Sequence, residues 1–414
     1  MASTGPGAQE RYYARLTKGM VVQVRETAKM GKGLFATEDI KAETVILREQ
    51  PVANMQHLTN RKKFRACAHC LRPLGPLEEA MNKLVIALDL LPSSSISSNC
   101  SASISPGSLP LVDELLPHPL PLPLPCAHAD DGCDIEFCSE SCRSVSWAMH
   151  HSLLCIGAAA AEGNIAKQVA LKQLCDEVLE ETNEAFYMAA QILAYVVSRY
   201  RAMKRPDLDR ARLPISLLHS RPWWEVVCPA ESDDDDEYGH EYEYEFDREA
   251  FEAAHRADVE RLAPMLWAIV ADSDPALAPL FTVDTLAHVM GMFEMNSVSM
   301  LVVSPVHTYL EQMRQLPASE QLRISAAGGP VLAALAGAMD QLGNEDVEGL
   351  GVFAVHANTN HSCVPNVESA KDPEDPDGLV VLITLRDIAA GEQLFVSVRL
   401  CLHLSSLRTR SPAQ

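Results

Sequence analysis

The 414-residue chain has no long apolar run. Its most apolar stretches, around 329–339 and 188–197, are interrupted by Gly, Gln or Tyr and fall short of the roughly 18 residues a membrane-crossing helix needs. No secretory leader is visible either. The first 25 residues, MASTGPGAQERYYARLTKGMVVQVR, hold no apolar core between a basic start and a cleavage site. The expectation is a soluble protein of a reducing compartment, nucleus or cytoplasm, with no membrane partner. Positive charge is in deficit: 34 Lys and Arg stand against 56 Asp and Glu, for a net charge of −22. Ten of the carboxylates fall in residues 231–247, ESDDDDEYGHEYEYEFD, with no Lys or Arg among them, which leaves −12 for the rest. That balance argues against broad binding to phosphate backbones, so no direct nucleic-acid partner is expected. No internal repeat is visible.

Apolar residues make up 47% of the chain, enough for a substantial core, and the length suits two to three domains of about 150 residues. From Ile165 to Met203, and again over 249–270 and 276–290, apolar positions recur at three and four, which predicts helices with a buried face. Tyr187, Met188, Tyr195, Trp223 and Trp224 are expected in the core of that region. Residues 92–125 begin Ser-rich and end with Pro at every second position, a composition that reads as a linker without a core. This segment and the acidic run at 231–247 are expected to be mobile and solvated. The basic stretch RKKFR, residues 61–65, reads as a solvated face.

Cysteine is sparse except in one region. CDIEFCSESCRSVSWAMHHSLLC, residues 133–155, packs four cysteines and two histidines, and CAHC holds Cys67 and Cys70. In a reducing compartment, cysteines at such short spacing are metal ligands more often than bridges. Cys67, Cys70, Cys133, Cys138, Cys142, His151 and Cys155, with Cys126 as the remaining candidate, make eight ligands, the number two tetrahedral zinc ions require. Two alternatives stay open at this point: His128 in place of Cys126, and His150 in place of His151.

The order of these residues, with FCSESC, Trp147 and HSLLC, resembles the MYND zinc finger. The resemblance implies two zinc ions bound by interleaved pairs. Cys67, Cys70, Cys138 and Cys142 would hold one; Cys126, Cys133, His151 and Cys155 would hold the other. It also implies a proline-rich peptide as a ligand of the finger. One departure is the six residues between Cys126 and Cys133, where the family has two.

Both flanks carry further motifs. GKGLFA near Gly31, GMFEMNSVSM at 291–300, NHSCVPN at 360–366 and GEQLFVSV at 391–398 follow one another in this order. Together they resemble a SET-domain lysine methyltransferase of the SET and MYND class, nearest to the trithorax-related branch of green plants. The implied fold class is α+β: a SET domain of small β-sheets, split by an inserted MYND finger, with a helical insert region. The implied borders are 20–60 for the first SET half and 64–155 for the finger with its insertion at 92–125. They continue with 160–345 for the helical region, 346–398 for the second SET half and 399–414 for an atypical tail. The resemblance implies methyl transfer from S-adenosyl-L-methionine to a lysine of a histone or another protein, in the manner of a chromatin regulator. By position, the cofactor would be bound by Lys32, Gly33, Asn296, Asn360 and His361. Family members close the last motif with a tyrosine whose hydroxyl aligns the reacting amine. Val398 stands at that place here, and a valine neither donates nor accepts a hydrogen bond. No catalytic residue is therefore assigned, and slow lysine methylation or a silent scaffold is the expectation for the chain as written.

Overall fold

The computed structural model describes residues 6–91, 103–180, 183–229, 247–271, 273–339, 345–370 and 377–397. Contacts divide the chain into two units, Met1–Ala148 with Val298–Gln414, and Met149–Ser297. Strands concentrate in the first and helices in the second, an α+β chain as expected.

The first unit is organised by a hairpin. β1 (Val22–Thr27) pairs antiparallel with β2 (Gly31–Ala36). The Thr27 hydroxyl closes the turn, accepting from the Met30 amide at 3.0 Å and donating to the Gly31 carbonyl at 2.9 Å. Gly31 has φ +63°, a left-handed conformation that a side chain would strain. Period-two alternation sends Leu34 and Ala36 of β2 fully inward. β12 (Gln393–Val396) then adds antiparallel to β2, and on its other edge runs parallel to β9 (Asn360–His361). A second sheet orders β10 (Val367–Ala370), β11 (Val380–Thr384) and β3 (Val45–Glu49). A third orders β4 (Ala53–Gln56), β8 (Val347–Val352) and β7 (Ser297–Val302). Each of these sheets joins strands from the two ends of the chain. Val22, Leu34, Leu47, Val367, Leu382 and Leu394 fill the core beneath the first two.

A second core in this unit packs Phe64, Leu71 and the helix Leu77–Ala87 against the helices Pro305–Arg314 and Ala318–Gly337. Here the linker expectation fails for residues 103–125. Ile104, Leu109, Leu115 and Leu116 are buried in that core. Asn82 makes a reciprocal pair with the Ile104 backbone, both bonds 2.8 Å, and Tyr309 donates to the Pro110 carbonyl at 2.8 Å. The prolines lack donors but keep carbonyls, which Arg72 takes at Pro119 (2.9 Å) and the Gly75 amide takes at Pro121 (3.0 Å). Composition signalled low core content; four well-spaced apolar side chains were enough to dock the segment. Residues 92–102 and 231–246 of the two segments expected to be mobile lie outside the described residues.

RKKFR is structural as well as solvated. Phe64 is buried, Lys63 pairs with Glu345 at 2.6 Å, and Arg65 pairs with Glu79 at 2.7 Å and Glu136 at 2.5 Å.

In the second unit the predicted helix over Ile165–Met203 is two helices, Ile165–Glu180 and Glu184–Arg201. Asn183 starts the second by accepting from the Ala185 amide, since an Asn side chain competes well for the free donors of a helix start. Phe186, Ala189, Leu193 and Val197 make its fully buried stripe. Met188 and Trp223 are buried as expected, whereas Tyr187, Tyr195 and Trp224 are half-buried. Helices Arg248–Leu266 and Val283–Asn296 complete the packing, capped by Asp247 and Thr282.

Candidate functional site

Four of the eight expected ligands converge within the first unit. Cys67 and Cys70 lie on a turn closed by the Leu71 amide on the Cys67 carbonyl. Cys138 ends β6 (Glu136–Phe137), which pairs with β5 (Leu124–Pro125), and Cys142 sits in the first turn of the helix Glu140–Ser146. Ser139 caps that helix by accepting from the Cys142 amide at 3.2 Å. The four sulfurs lie within 4.8 Å of one another. Cys138 is 3.6 Å from Cys70 and 3.4 Å from Cys142, and Cys142 is 3.8 Å from Cys70. A tetrahedron with zinc–sulfur arms of about 2.3 Å has edges near 3.8 Å, so the set fits such an ion. The thiols cannot all ionise unaided. The side-chain hydrogen bond with Cys142 holds Cys138 far below the usual range, while the bond with Cys138 pushes both Cys70 and Cys142 far up. A bound dication removes that conflict.

The other four, Cys126, Cys133, His151 and Cys155, are each buried. The long spacing between Cys126 and Cys133 is taken up by a tight double turn. The Ala129 amide donates to Cys126, the Gly132 amide to Ala129 and the Cys133 amide to His128, and Gly132 has φ +100°. His128 faces elsewhere: its Nδ1 lies 3.2 Å from Asp131 and its ring stacks on Trp147. His151 and Cys155 flank the short helix Ser152–Leu154 of the second unit.

The second candidate site is the junction of β2, β12 and β9, which brings together residues of GKG, NHSCVPN and GEQLFVSV. Asn360 donates from Nδ2 to the Lys32 carbonyl at 2.9 Å, tying β9 to β2. Asn366 grips β12: its Nδ2 donates to the Gln393 carbonyl at 2.8 Å and its Oδ1 accepts from the Phe395 amide at 2.7 Å. The Ser362 amide donates to the Val396 carbonyl at 2.9 Å. Between these anchors the loop crest is open, with His361 and Cys363 exposed. Gly33 is buried, and a Cβ there would meet Gln393 and Phe35. Burial lowers the Lys32 ammonium below its ordinary value.

Behind the junction, Glu49 at the end of β3 accepts from the Val355 and His356 amides at 2.8 and 2.9 Å, holding the short turn His356–Asn358 that leads into β9. Burial raises the Glu49 carboxyl to about 7 despite these bonds, and burial lowers His356 to about 4. Sequence reasoning passed over Glu49; a lone acidic residue closing a strand carries no pattern signal.

Asn296 has a separate setting. It ends the helix Val283–Asn296 of the second unit, and its Nδ2 donates to the Met292 carbonyl at 2.6 Å and the His219 carbonyl at 2.8 Å. Val398 lies outside the described residues.

Comparison with known proteins bears on both sites. The SET domain family model matches residues 31–397. A relative from Arabidopsis thaliana, histone-lysine N-methyltransferase ATXR2, is 29% identical over 91% of this chain and 84% of its own. The protein-lysine N-trimethyltransferase SMYD5 of Homo sapiens is 25% identical over 92% of this chain and 79% of its own, and that of Danio rerio is 24% identical over 90% and 78%.

Proposed function

The chain belongs to the SET domain family, and we propose from that premise that it is an S-adenosylmethionine-dependent protein-lysine methyltransferase stabilised by two zinc ions. The observation that carries this reading is the Asn360–Lys32 bond, which assembles motif residues 328 positions apart into one junction with an open crest. Methyltransferase names among the relatives support a protein substrate. S-adenosylmethionine supplies an activated methyl group. The chain's residues supply geometry. With its Nδ2 engaged, Asn360 keeps Oδ1 as an acceptor for an ammonium group. Gly33 adds no side chain of its own between the β2 backbone and a ligand, and His361 offers its backbone at the exposed edge.

Zinc fits the donor set. Cys67, Cys70, Cys138 and Cys142 would hold one ion, on sulfur spacing; Cys126, Cys133, His151 and Cys155 would hold the other, on burial and donor chemistry. The proposed borders of the split SET domain, finger and helical region are the ones the motifs imply. Nucleus and cytoplasm are the proposed locations, and a proline-rich peptide is the proposed further partner of the finger.

A silent scaffold is the second reading, and Val398 favours it. Calorimetric titration with S-adenosylmethionine and a methylation assay on histone and peptide substrates separate the two. Binding with turnover abolished by Asn360→Ala supports the enzyme; binding without turnover supports the scaffold. Absence of binding rejects the cofactor assignment. Without the aligning hydroxyl, turnover is expected to be lower by about 10² or more; Val398→Tyr alone should restore little, and replacing residues 398 onward with a tyrosine-containing family end should restore turnover.

A further inference from the structure

Gln393 belongs to none of the residue sets singled out by spacing, yet its side chain stands over Gly33. A Cβ on Gly33 would lie 2.6 Å from Gln393 Nε2 and 3.1 Å from Phe35 Cε2. The Gln393 backbone is held in place, paired opposite Phe35 and bonded through its carbonyl to Asn366. The Nε2 atom is buried with no hydrogen-bond partner among the described residues. Buried amide donors normally have partners, so an orphan calls for a reason. The adjacent carbonyl of Lys32 accepts from Asn360 Nδ2 at 2.9 Å and takes no bond from Gln393 Nε2. Two carboxamides from neighbouring strands therefore converge on a single peptide unit, Lys32–Gly33. One presents a free acceptor, Asn360 Oδ1, and the other a free donor, Gln393 Nε2.

Resting on the cofactor reading above, we propose that Gln393 is a positioning residue of that site: its Nε2 donates to the carboxylate of the cofactor's amino-acid end while Asn360 Oδ1 accepts from the ammonium. An α-amino acid carries a donor and an acceptor group on one carbon, and the junction offers the complementary pair on either side of one peptide. Gly33 matters to both partners, since any side chain there would collide with the amide. A ligand approaching the glycine backbone displaces the amide from above it, and the same movement gives the donor the acceptor it lacks.

The test uses the full chain and two ligands, S-adenosylmethionine and 5′-methylthioadenosine, which keeps the adenosine and thioether but has no amino-acid end. For Gln393→Leu the expected result is a loss of about tenfold in S-adenosylmethionine affinity with methylthioadenosine affinity unchanged. Gln393→Glu, close to isosteric and so the variant that survives if leucine disturbs folding, is expected to lose more, because it sets carboxylate against carboxylate. Equal losses for the two ligands would mean that Gln393 only shapes the junction and would overturn the proposal, as would no loss for either. A wild-type chain that binds both ligands equally also overturns it. A wild-type chain that binds neither sinks the cofactor reading itself, and this inference with it.

Discussion

The four-sulfur set and the strand junction hold their side chains by opposite means. In the first, Cys67, Cys70, Cys138 and Cys142 come from a turn, a strand end and a helix start, and their sulfurs meet one another. Their sulfurs approach to 3.4–3.8 Å, a spacing four thiols do not favour without a cation between them. In the second, Asn360 and Asn366 are fixed by main-chain partners, and the geometry exists before any ligand arrives. A ligand-built site fails when one ligand is lost; a backbone-built site degrades bond by bond.

The largest effect expected from that contrast is at Cys138. Cys138→Ser should lower the zinc content by at least one ion per chain and unfold the finger, because in such modules metal binding is folding free energy. Metal analysis and calorimetry check this; an unchanged zinc content would contradict the ligand assignment. Next comes Asn366→Ala. It removes three side-chain bonds from a residue 3% exposed, to Glu392 and two backbone groups of β12, and should cost about 3 kcal/mol by denaturant titration. Zinc content should not change, which separates the two regions. Asn360→Ala removes one bond and should cost only about 1 kcal/mol of stability, while cofactor affinity falls by tenfold or more.

The smallest effect is a change in the shape of the pH–stability curve. Glu49 titrates near 7 in the folded chain against an ordinary value of 4.5, so the stability its proton contributes is complete below about 4.5 and is lost as pH rises through 7. His356, lowered from 6.5 to about 4, acts in the other sense: its contribution is present above 6.5 and is lost as pH falls towards 4. The two slopes oppose each other between about 4.5 and 6.5, and above that only Glu49 remains. Thermal midpoints of the wild type should therefore fall as pH rises from 6.5 to 7.5 and level off above, and Glu49→Gln should abolish that fall. A variant curve that parallels the wild type would exclude Glu49 as its source.

Much of both sites was legible in the residue order. Cysteine spacing is a local signal, and the sulfurs of Cys67, Cys70, Cys138 and Cys142 lie together in the first unit. NHSCVPN and GKG likewise mark the two strands that Asn360 joins. What composition obscured was the docking of residues 103–125, where Ile104, Leu109, Leu115 and Leu116 acquire their partners only once the helices of residues 305–337 lie against them. Gln393 and Glu49 were silent for a related reason. A glutamine in a strand or a glutamate at its end is ordinary until a buried environment leaves one without a partner and lifts the other's pKa.

By itself the sequence determined the α+β class, the clustering of cysteine and histidine, and which loops carry asparagine and glycine, because these follow from side-chain chemistry and short-range periodicity. Tertiary structure alone decided which atoms those residues face. Asn360 could have offered its amide or its carbonyl to a ligand, and the pairing with Lys32 settles that the amide is engaged. Asn296 has its amide directed to His219 and Met292 at a helix end, and Gln393 stands over Gly33. Hydrogen bonds and burial depend on contacts between segments hundreds of residues apart, and no local pattern encodes where those segments meet.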